Sequence, residues 1–539
     1  MPAMSGAQAL VRQLRSEGVD TVFALPGVQM MAAFDALYEA QDDIRLIQTR
    51  HEQATTYMAD GYARVTGKPG VAMVVPGPGA YNAGAGMGTA YAASSPVLLI
   101  AGQIMSSALG KQQGQLHEVD DQLDIFKPIT KWNHRVTRVE EIPEAVHEAM
   151  RHLKTGRPRP VELEVPPDTL AAEGNTDIIE PEEYPRASPA SEDVARAAKL
   201  LREAKRPAII AGGGTIISGA SRELQELAEF LQAPVMTSQQ SKGILPEDHY
   251  LSVGTNYASL GPAHRVIPET DVLLAVGTRL LIRDLETETP PRLIHIDADA
   301  TEIGKNLPAE VGIVADAKEA LAALLRQLRA GGSPKESRRE EIEGYKTRFA
   351  REVRELAPEQ TDIVATIRRT LADDAVLVSG VTNIGYWSNV AYPAKQPGTY
   401  LTSSYFGTLG YAFPTALGAK AARPGRQVVA ICGDGGFMYS PQELSTAVKY
   451  GINVVAVVFN TGAYGASQWD QTHRYGRRFI GTDLHNPDFV QLAKAFGAVG
   501  MRTDPAGLGP VLQDALAADA PVLLEVEVPN MMPPFQIVP

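Results

Sequence analysis

One carboxylate in the sequence stands in a glycine turn directly after a buried-strand pattern. Asp434 lies in the triplet Gly433-Asp434-Gly435, which follows the apolar, β-branched segment RQVVAIC. Glycines let a backbone turn sharply and approach a ligand closely. A carboxylate among turn oxygens suits a hard cation such as Mg²⁺ that carries a phosphate group. A lone Gly-Asp-Gly is equally compatible with a solvated surface turn, so the neighbouring elements matter.

The segments around Asp434 predict one βαβ unit. RQVVAIC predicts the first strand, SPQE opens a helix with a capping box from Ser440 to Glu443, and INVVAVVF predicts the second strand. The two strands of such a unit are parallel. Asp434 and the turn Asn460-Thr461 are therefore predicted to lie together at the carboxyl ends of the strands, where open α/β sheets bind ligands.

A second carboxylate, Glu52, follows a strand pattern near the N-terminus. The strand IRLIQTR ends just before His51, so Glu52 is predicted to open the next helix. Taken alone, Glu52 could equally be a solvated or helix-capping residue.

The composition limits the classes of function. A chain of 539 residues is too long for one core, so two to four domains are expected. The net charge of -13 argues against a nucleic-acid or anionic-membrane partner. Cys432 is the only cysteine, which excludes an intrachain disulfide and a cysteine-based zinc site. The N-terminal segment has no secretory pattern, so the cytoplasm is the expected location.

Three segments alternate strand and helix patterns. They are residues 1–172, 190–330 and 355–539, separated by a Pro-rich acidic linker and by a charged span that predicts a linker and a surface helix. The predicted fold is α/β, with three doubly wound parallel-sheet domains. The uncharged stretch from Gly70 to Gly110 predicts a buried βαβ unit near a subunit interface, not a membrane span, because turns and small residues interrupt it.

The chain resembles the thiamine diphosphate enzymes of the acetolactate synthase and pyruvate decarboxylase superfamily. The early passage RHEQATTYMADGYARVTGKPGV matches a pattern of that family. The family also has a late Gly-Asp-Gly that is followed some two dozen residues later by Asn-Asn. In this chain 24 residues, 436–459, separate Gly435 from Asn460. The resemblance covers nearly the whole chain and includes PGPGAYN, PVLLIAGQ, ITKW, HIDADATEIGKN, GTLGYAFPTALGAK and NPDFVQLAKAFGA.

The resemblance implies a role for each matching position. Glu52 would hydrogen-bond N1′ of the aminopyrimidine and favour the tautomer whose N4′ takes the proton from C2 of the thiazolium. Leu409 would hold the cofactor bent, as a bulky residue does in the family, although a core leucine is the plain alternative. Asp434 would bind Mg²⁺ with Thr461 and the carbonyl of Ala463. Further cofactor contacts are implied at Pro26, Gly79, Asn82, Gly433, Gly435, Gly462 and Tyr464.

Thr461 departs from the family, which has a second Asn at this position. We expect weaker or water-assisted metal binding rather than loss of the site, because a hydroxyl oxygen can still coordinate. An inactive relative is the alternative, but such a protein would be expected to lack Glu52 or Asp434, and both are present. The family also implies that the pyrimidine-binding domain of one subunit faces the diphosphate-binding domain of another, so a homodimer is the minimum and a homotetramer is usual.

The resemblance implies that a 2-oxo acid such as pyruvate is decarboxylated and that the remaining unit is ligated to a second carbonyl compound. A simple 2-oxo acid decarboxylase or a 2-hydroxyketone lyase is the alternative. His117 stands where acetolactate synthases carry Gln and could shuttle protons, or be an ordinary surface histidine. Gln29, beside Val28 in LPGVQMM, could contact substrate. Trp469 lies one residue from the position at which acetolactate synthases carry a tryptophan of the acceptor pocket. Core packing is the alternative role for this residue.

The central segment raises the question of a second cofactor. HIDADATEIGKN resembles adenosine-side contacts of flavin-binding relatives, whereas GTRLLIRD lacks the paired acidic residues of that family. FAD is therefore expected to be absent, and an empty domain or an ADP-like ligand is favoured. IIAGGGTIISG does not fit the glycine spacing of a dinucleotide or phosphate loop, which argues against a nicotinamide dehydrogenase.

Overall fold

Three parallel sheets organise the chain. The computed structural model describes residues 3–257, 260–282 and 290–536. Within these residues each of the three sheets has six strands, and every pairing of neighbours in them is parallel. In each sheet the chain runs outward to one edge and then returns to build the other side. The predicted fold class is confirmed.

The N-terminal domain contains the first sheet. Its strands are β1 (Ala3–Ser5), β2 (Thr21–Ala24), β3 (Arg45–Gln48), β4 (Gly70–Val74), β5 (Val97–Gly102), β6 (Trp132–Arg135), β7 (Val161–Val165) and β8 (Glu173–Asn175). Its helices are α1 (Gly6–Ser16), α2 (Met31–Glu39), α3 (Glu52–Thr66), α4 (Pro78–Ala93), α5 (Gln122–Phe126), α6 (Ile142–Lys154) and α7 (Pro167–Ala171). The sheet order is β3-β2-β4-β5-β7-β6, and β1 pairs with β8 in a separate antiparallel ribbon.

The central domain contains the second sheet, in the order β11-β10-β9-β12-β13-β14. Its strands are β9 (Pro207–Ala211), β10 (Val235–Ser238), β11 (Ser252–Asn256), β12 (Val272–Val276), β13 (Arg292–Asp297) and β14 (Val311–Val314). Its helices are α8 (Ser191–Glu203), α9 (Gly213–Ser218), α10 (Ser221–Leu231), α11 (Ala263–Val266) and α12 (Ala317–Ala330). Two helices, α13 (Arg339–Leu356) and α14 (Pro358–Thr370), lead to the next domain.

The C-terminal domain contains the third sheet, in the order β16-β15-β17-β18-β20-β19. Its strands are β15 (Val376–Ser379), β16 (Tyr400–Thr402), β17 (Val428–Gly433), β18 (Val455–Asn460), β19 (Val499–Thr503) and β20 (Val522–Glu527). Its helices are α15 (Asn383–Ala391), α16 (Ala412–Ala422), α17 (Asp434–Phe437), α18 (Glu443–Tyr450), α19 (Gly465–Arg474), α20 (Phe489–Ala495) and α21 (Leu508–Ala517). The limits of 1–172, 190–330 and 355–539 stay predictions.

The uncharged stretch folds as the predicted βαβ unit. Every residue of β4 and β5 is buried, as expected for strands covered on both faces, and α4 between them is rich in Gly and Ala. In the part of the chain that the structure describes, no helix combines the length and the apolar character needed to cross a membrane.

The N-terminal and C-terminal domains meet where α3 crosses α16. A Cβ atom on Gly61 would lie 2.1 Å from the Thr415 carbonyl oxygen, and one on Gly418 would lie 2.0 Å from the Met58 carbonyl oxygen. Each glycine therefore admits the backbone of the other helix. Buried side chains of both domains form one continuous apolar cluster around this crossing.

Substitution of Gly61 by Ala is expected to destabilise the protein, because the new methyl group meets backbone that cannot rotate away. We expect the free energy of unfolding to fall by about 1–3 kcal/mol or more. Denaturant titration measures this change. Gly344→Ala in α13 is the matched control, since its Cβ would meet nothing within 4 Å. This substitution should raise the free energy of unfolding by about 0.5–1 kcal/mol. Equal effects at both positions would contradict the tight crossing.

The predicted capping box at SPQE is wrong. Helix α18 begins at Glu443, and its N-cap residue Gln442 makes no side-chain capping bond. The Ser440 hydroxyl instead donates to the Gly410 carbonyl at 3.4 Å, and the Glu443 carboxylate accepts from the Arg50 backbone N–H. The physical reason is burial: Glu443 is fully inaccessible, so its carboxylate bonds to donors of the N-terminal domain that only the folded chain brings near.

Candidate functional site

The sequence-predicted site residues fall into two clusters, one at the carboxyl edge of each outer sheet. The Glu52 cluster lies near the ends of β2, β3 and β4 and consists of Gln29, Glu52, Gly79, Asn82 and His117. The Asp434 cluster lies at the ends of β17 and β18 and consists of the predicted residues Asp434, Asn460, Thr461 and Ala463, together with Asn486, which was not predicted. Both lie at the carboxyl ends of parallel strands, where open α/β sheets bind ligands. The Glu52 cluster includes the reversal of strand order between β2 and β4, and Asp434 follows β17, which borders the reversal between β15 and β17.

Glu52 is the first residue of α3, as predicted, and His51 is the N-cap. The amide Nδ2 of Asn82 donates to Glu52 Oε2 at 3.0 Å. The other oxygen, Oε1, lies 3.6 Å from the place where a Cβ on Gly79 would stand. That Cβ would also lie 2.7 Å from Val75 Cγ2, so the glycine allows Val75 to pack closely beside a carboxylate whose side chain is only 13% exposed.

Gln29 and His117 adjoin the turn that precedes α4. The Gln29 amide donates to the Leu116 carbonyl at 3.2 Å. A Cβ on Gly77, whose φ is +56°, would lie 2.5 Å from the His117 carbonyl oxygen. Gln29 Oε1 and His117 Nδ1 are buried without a hydrogen-bond partner among the described residues. Such atoms are rare in folded proteins and indicate a place for a ligand or water.

His117 also has a strained backbone, with φ at +71°. Outside glycine this left-handed region is uncommon and costs about 1–3 kcal/mol. The surrounding loop therefore holds the imidazole in place against a local preference, as is frequent at ligand-binding positions.

Three oxygen atoms converge in the Asp434 cluster. The Thr461 hydroxyl donates to the Ala463 carbonyl at 3.0 Å and lies 3.5 Å from Asp434 Oδ1. Asp434 is only 2% exposed. The described residues hold no group of three His, Cys, Asp or Glu suited to a metal. One carboxylate with a hydroxyl and a carbonyl still provides the oxygen ligands that Mg²⁺ prefers when phosphate completes its shell.

Asn486 is a site residue that the sequence reasoning missed. Its Nδ2 donates to Asp434 Oδ2 at 2.8 Å and to Asn460 Oδ1 at 2.9 Å. Asn460 in turn donates to Glu525 Oε1 at 2.7 Å. These bonds occupy one oxygen of Asp434 and leave Oδ1 on the side of Thr461. The only available signal was the NPDF segment, which identified a family passage but no contact.

The two glycines beside Asp434 are needed for room and not for a special backbone angle. Gly433 has a φ of -86°, and the chain passes there from β17 directly into the single-turn helix α17, which begins at Asp434. A Cβ on Gly435 would lie 2.6 Å from the Tyr464 ring, and one on Gly433 would lie 2.9 Å from the Thr382 hydroxyl. Gly462 does have a positive φ, +65°.

The remaining predicted positions have diverse surroundings. Pro26 is exposed just after β2, and Val28 is 69% exposed. Leu409 is half-buried, with Cδ2 3.6 Å from the Cβ position of Gly436. Trp469 does not pack in a core, because α19 has no buried residue and the indole stacks on His473 at 4.4 Å between ring centroids.

Among the ionisable groups of the C-terminal domain, Cys432 and Glu443 have pKa values that burial raises strongly. Burial raises the pKa of Cys432 to about 12, so this thiol stays neutral and unreactive. Burial also raises the pKa of Glu443 to about 7, against the opposing effect of hydrogen bonds from Thr446 and from the backbone of Arg50 and His51.

Comparisons with known proteins agree with this arrangement. Residues 4–125, 194–324 and 380–526 match the family models described as the N-terminal TPP binding domain, the central domain and the C-terminal TPP binding domain of thiamine pyrophosphate enzymes. The chain is 38% identical to a probable acetolactate synthase large subunit of Methanocaldococcus jannaschii, covering 98% of this chain and 94% of the relative.

Two further relatives cover most of the chain. Identity is 36% with the acetolactate synthase large subunit of Corynebacterium glutamicum, over 97% of this chain and 86% of the relative. Identity is 37% with a probable 2-ketoarginine decarboxylase of Pseudomonas aeruginosa, over 92% of this chain and 88% of the relative. With all three domain models matched in order, the chain belongs to the thiamine pyrophosphate (thiamine diphosphate) enzyme family.

Proposed function

We propose that this thiamine diphosphate enzyme uses Mg²⁺ to decarboxylate a pyruvate-like 2-oxo acid and to ligate the product to a second carbonyl compound. The observation that carries the proposal is the pair of clusters at the carboxyl ends of the strands in the N-terminal and C-terminal sheets. One cluster presents a shielded carboxylate beside Gly79, and the other presents converging oxygens. The substrate class rests on the two acetolactate synthase relatives.

The residues present fit the cofactor and its metal. Glu52 would hold N1′ of the aminopyrimidine with Oε1, while Asn82 fixes Oε2. Asp434, Thr461 and Ala463 would hold the Mg²⁺ that carries the diphosphate. Once bound, thiamine diphosphate supplies the carbanion-stabilising chemistry. The chain itself supplies geometry, a proton acceptor and exclusion of water.

His117 and Gln29 are the groups proposed to face the substrate. Each has a buried polar atom without a partner in the described part of the chain. His117 would give or take a proton at Nδ1, because an imidazole nitrogen can act as a hydrogen-bond donor or acceptor. Gln29 would position a substrate oxygen or a water, since its amide already bonds Leu116 and its Oε1 can accept one further hydrogen bond.

The working unit is proposed to be at least a homodimer, and a homotetramer by analogy with the family. Support comes from large apolar side chains exposed near both clusters. Tyr81 is 57% exposed and Leu116 64% exposed beside the Glu52 cluster, while Tyr475 and Ile480 are 52% and 81% exposed after α19. Exposed apolar patches of this kind mark protein–protein interfaces. A second copy would cover them.

The central domain is proposed to hold no FAD. A cavity of about 580 Å³ lies between this domain and the two others, and its lining includes Gly213, Arg279 and Asp297 of the central domain together with Arg157 and Tyr386. The segment GTRLLIRD lacks the paired acidic residues of the flavin-binding relatives; its Arg283 and Asp284 lie outside the described residues. The purified protein is expected to show no flavin absorption band, and a yellow protein that releases flavin on denaturation would contradict this.

A simple decarboxylase is the second candidate, because one relative is a probable 2-ketoarginine decarboxylase. Incubation with pyruvate, thiamine diphosphate and Mg²⁺, followed by NMR of the products, separates the two. Acetolactate that requires the cofactor supports ligation, whereas acetaldehyde alone supports decarboxylation. If pyruvate is not consumed, a panel of 2-oxo acids that includes 2-ketoarginine identifies the donor. Absence of turnover with every donor would contradict the proposal.

A further inference from the structure

The C-terminal domain forms hydrogen bonds with the residues on both sides of Glu52. Before Glu52, the Arg50 backbone N–H donates to the two Glu443 carboxylate oxygens at 3.1 and 3.2 Å. After it, the Gln53 side-chain amide donates to the Tyr439 carbonyl at 2.8 Å. These contacts come from α18 and the turn before it. They fix main chain that a loop end would otherwise leave mobile.

More contacts from α18 act on the residues that precede Glu52. The Gln48 backbone N–H donates to the Tyr450 hydroxyl at 2.9 Å. Lys449 Nζ donates to Gln48 Oε1 at 2.7 Å. The end of β3 is therefore anchored on the same helix, and the few residues between Gln48 and Glu52 have little freedom to move.

Glu443 stands at the centre of these contacts and is itself firmly held. Its side chain is fully buried, and the Thr446 hydroxyl donates to Oε2 at 2.6 Å. Arg50 is the charged residue whose field acts on it, and the His51 backbone is a further donor. A buried carboxylate that receives several donors is costly to place, and no capping role explains it, since it lies at the start of α18 but bonds another domain.

We propose that Glu443 is a positioning residue for Glu52, holding the Arg50-His51 backbone so that the Glu52 carboxylate keeps its place in the site. This inference rests on the proposed function, in which Glu52 meets the aminopyrimidine. Glu443 acts through main-chain donors and touches none of the reacting atoms. A displacement of about 1 Å in a catalytic group can cost roughly 100-fold in rate. Loss of the hydrogen bonds from Glu443 should therefore slow the proton transfer that depends on Glu52.

Substitution of Glu443 by Gln tests this with little change in volume. One of the two oxygens that accept from the Arg50 N–H becomes an NH₂ group that cannot accept. The remaining oxygen must then serve both Arg50 and Thr446, so the hold on the segment before Glu52 should weaken. The readout is the rate of hydrogen–deuterium exchange at C2 of bound thiamine diphosphate, followed by NMR without substrate. We expect a decrease of roughly 10- to 100-fold, with little change in cofactor affinity, and partial rescue in Glu443→Asp.

A double-mutant cycle separates positioning from a general structural effect. In a Glu52→Gln background, Glu443→Gln should slow exchange no further, because the two residues act as one unit. Glu17→Gln is the matched control: its side chain is 1% exposed and pairs with His147 and Lys154 far from both clusters. The control should leave exchange unchanged even if it lowers stability.

Failure of the positioning role and failure of the proposed function give different results. If the unsubstituted protein binds no thiamine diphosphate, the proposed function fails. If it binds the cofactor and exchanges C2–H, but Glu443→Gln exchanges at the same rate, only the positioning role is overturned. Multiplicative effects of Glu443→Gln and Glu52→Gln would likewise overturn it, since they would show that the two residues act independently.

Discussion

Glu52→Gln is expected to lower kcat by about 10²–10⁴-fold, the usual contribution of a positioned acid–base group. The amide has nearly the same shape and can still accept from Asn82, whose Nδ2 lies 3.0 Å from Glu52 Oε2. It cannot take part in proton exchange with N1′. The fold and the diphosphate contacts should survive, because the Asp434 cluster lies in the other outer domain.

Steady-state turnover of the 2-oxo acid identified by product analysis measures this effect, with cofactor affinity determined in parallel. Glu39→Gln is the control: this glutamate of α2 is exposed, and its carboxylate accepts from Gln8 Nε2 at 3.2 Å. It should leave kcat unchanged. A Glu52→Gln enzyme with more than about a tenth of normal kcat would contradict the acid–base role.

Asp434→Asn is expected to weaken Mg²⁺ binding by more than about 100-fold. Loss of an outer residue that only orients a metal ligand already costs roughly 10–100-fold in affinity, and Asp434 is the carboxylate of its cluster. The substitution removes the negative charge while Asn486 stays in place. Calorimetric titration of Mg²⁺ into protein with saturating thiamine diphosphate measures the change.

Thr461→Asn is the informative companion, because it restores the residue that the family has at this position. It should tighten Mg²⁺ binding, since an amide oxygen replaces a hydroxyl that now donates to the Ala463 carbonyl. If Asp434→Asn bound Mg²⁺ normally, the metal would have to lie elsewhere. If Thr461→Asn weakened binding, the hydroxyl would be a better ligand than the family amide.

Elements with a strong local pattern could be predicted from the sequence. The strands β17 and β18 are apolar runs of the right length, and parallel pairing then brings Asp434 beside Asn460; the structure pairs Gly433 with Phe459. Glu52 at the start of α3 followed from the end of β3 in the same way. In both cases topology alone carries a residue to the carboxyl edge of a sheet.

Contacts between distant segments could not be predicted. Asn486 reaches Asp434 across 52 residues, and Glu443 reaches Arg50 across 393. Local rules even pointed the wrong way at Glu443, where a capping-box spacing is present but burial leaves the carboxylate to bond another domain. The crowding of Gly433 by Thr382 and of Gly435 by Tyr464 is likewise not visible in the sequence.

A crystal structure with thiamine diphosphate and Mg²⁺ bound tests the central claim most directly. The account predicts Glu52 Oε1 within hydrogen-bond distance of N1′, and Mg²⁺ held by Asp434, Thr461 and the Ala463 carbonyl. It also predicts that Glu52 and Asp434 of one site belong to different chains. A cofactor bound away from Glu52, or a metal without Asp434 in its shell, would contradict the account.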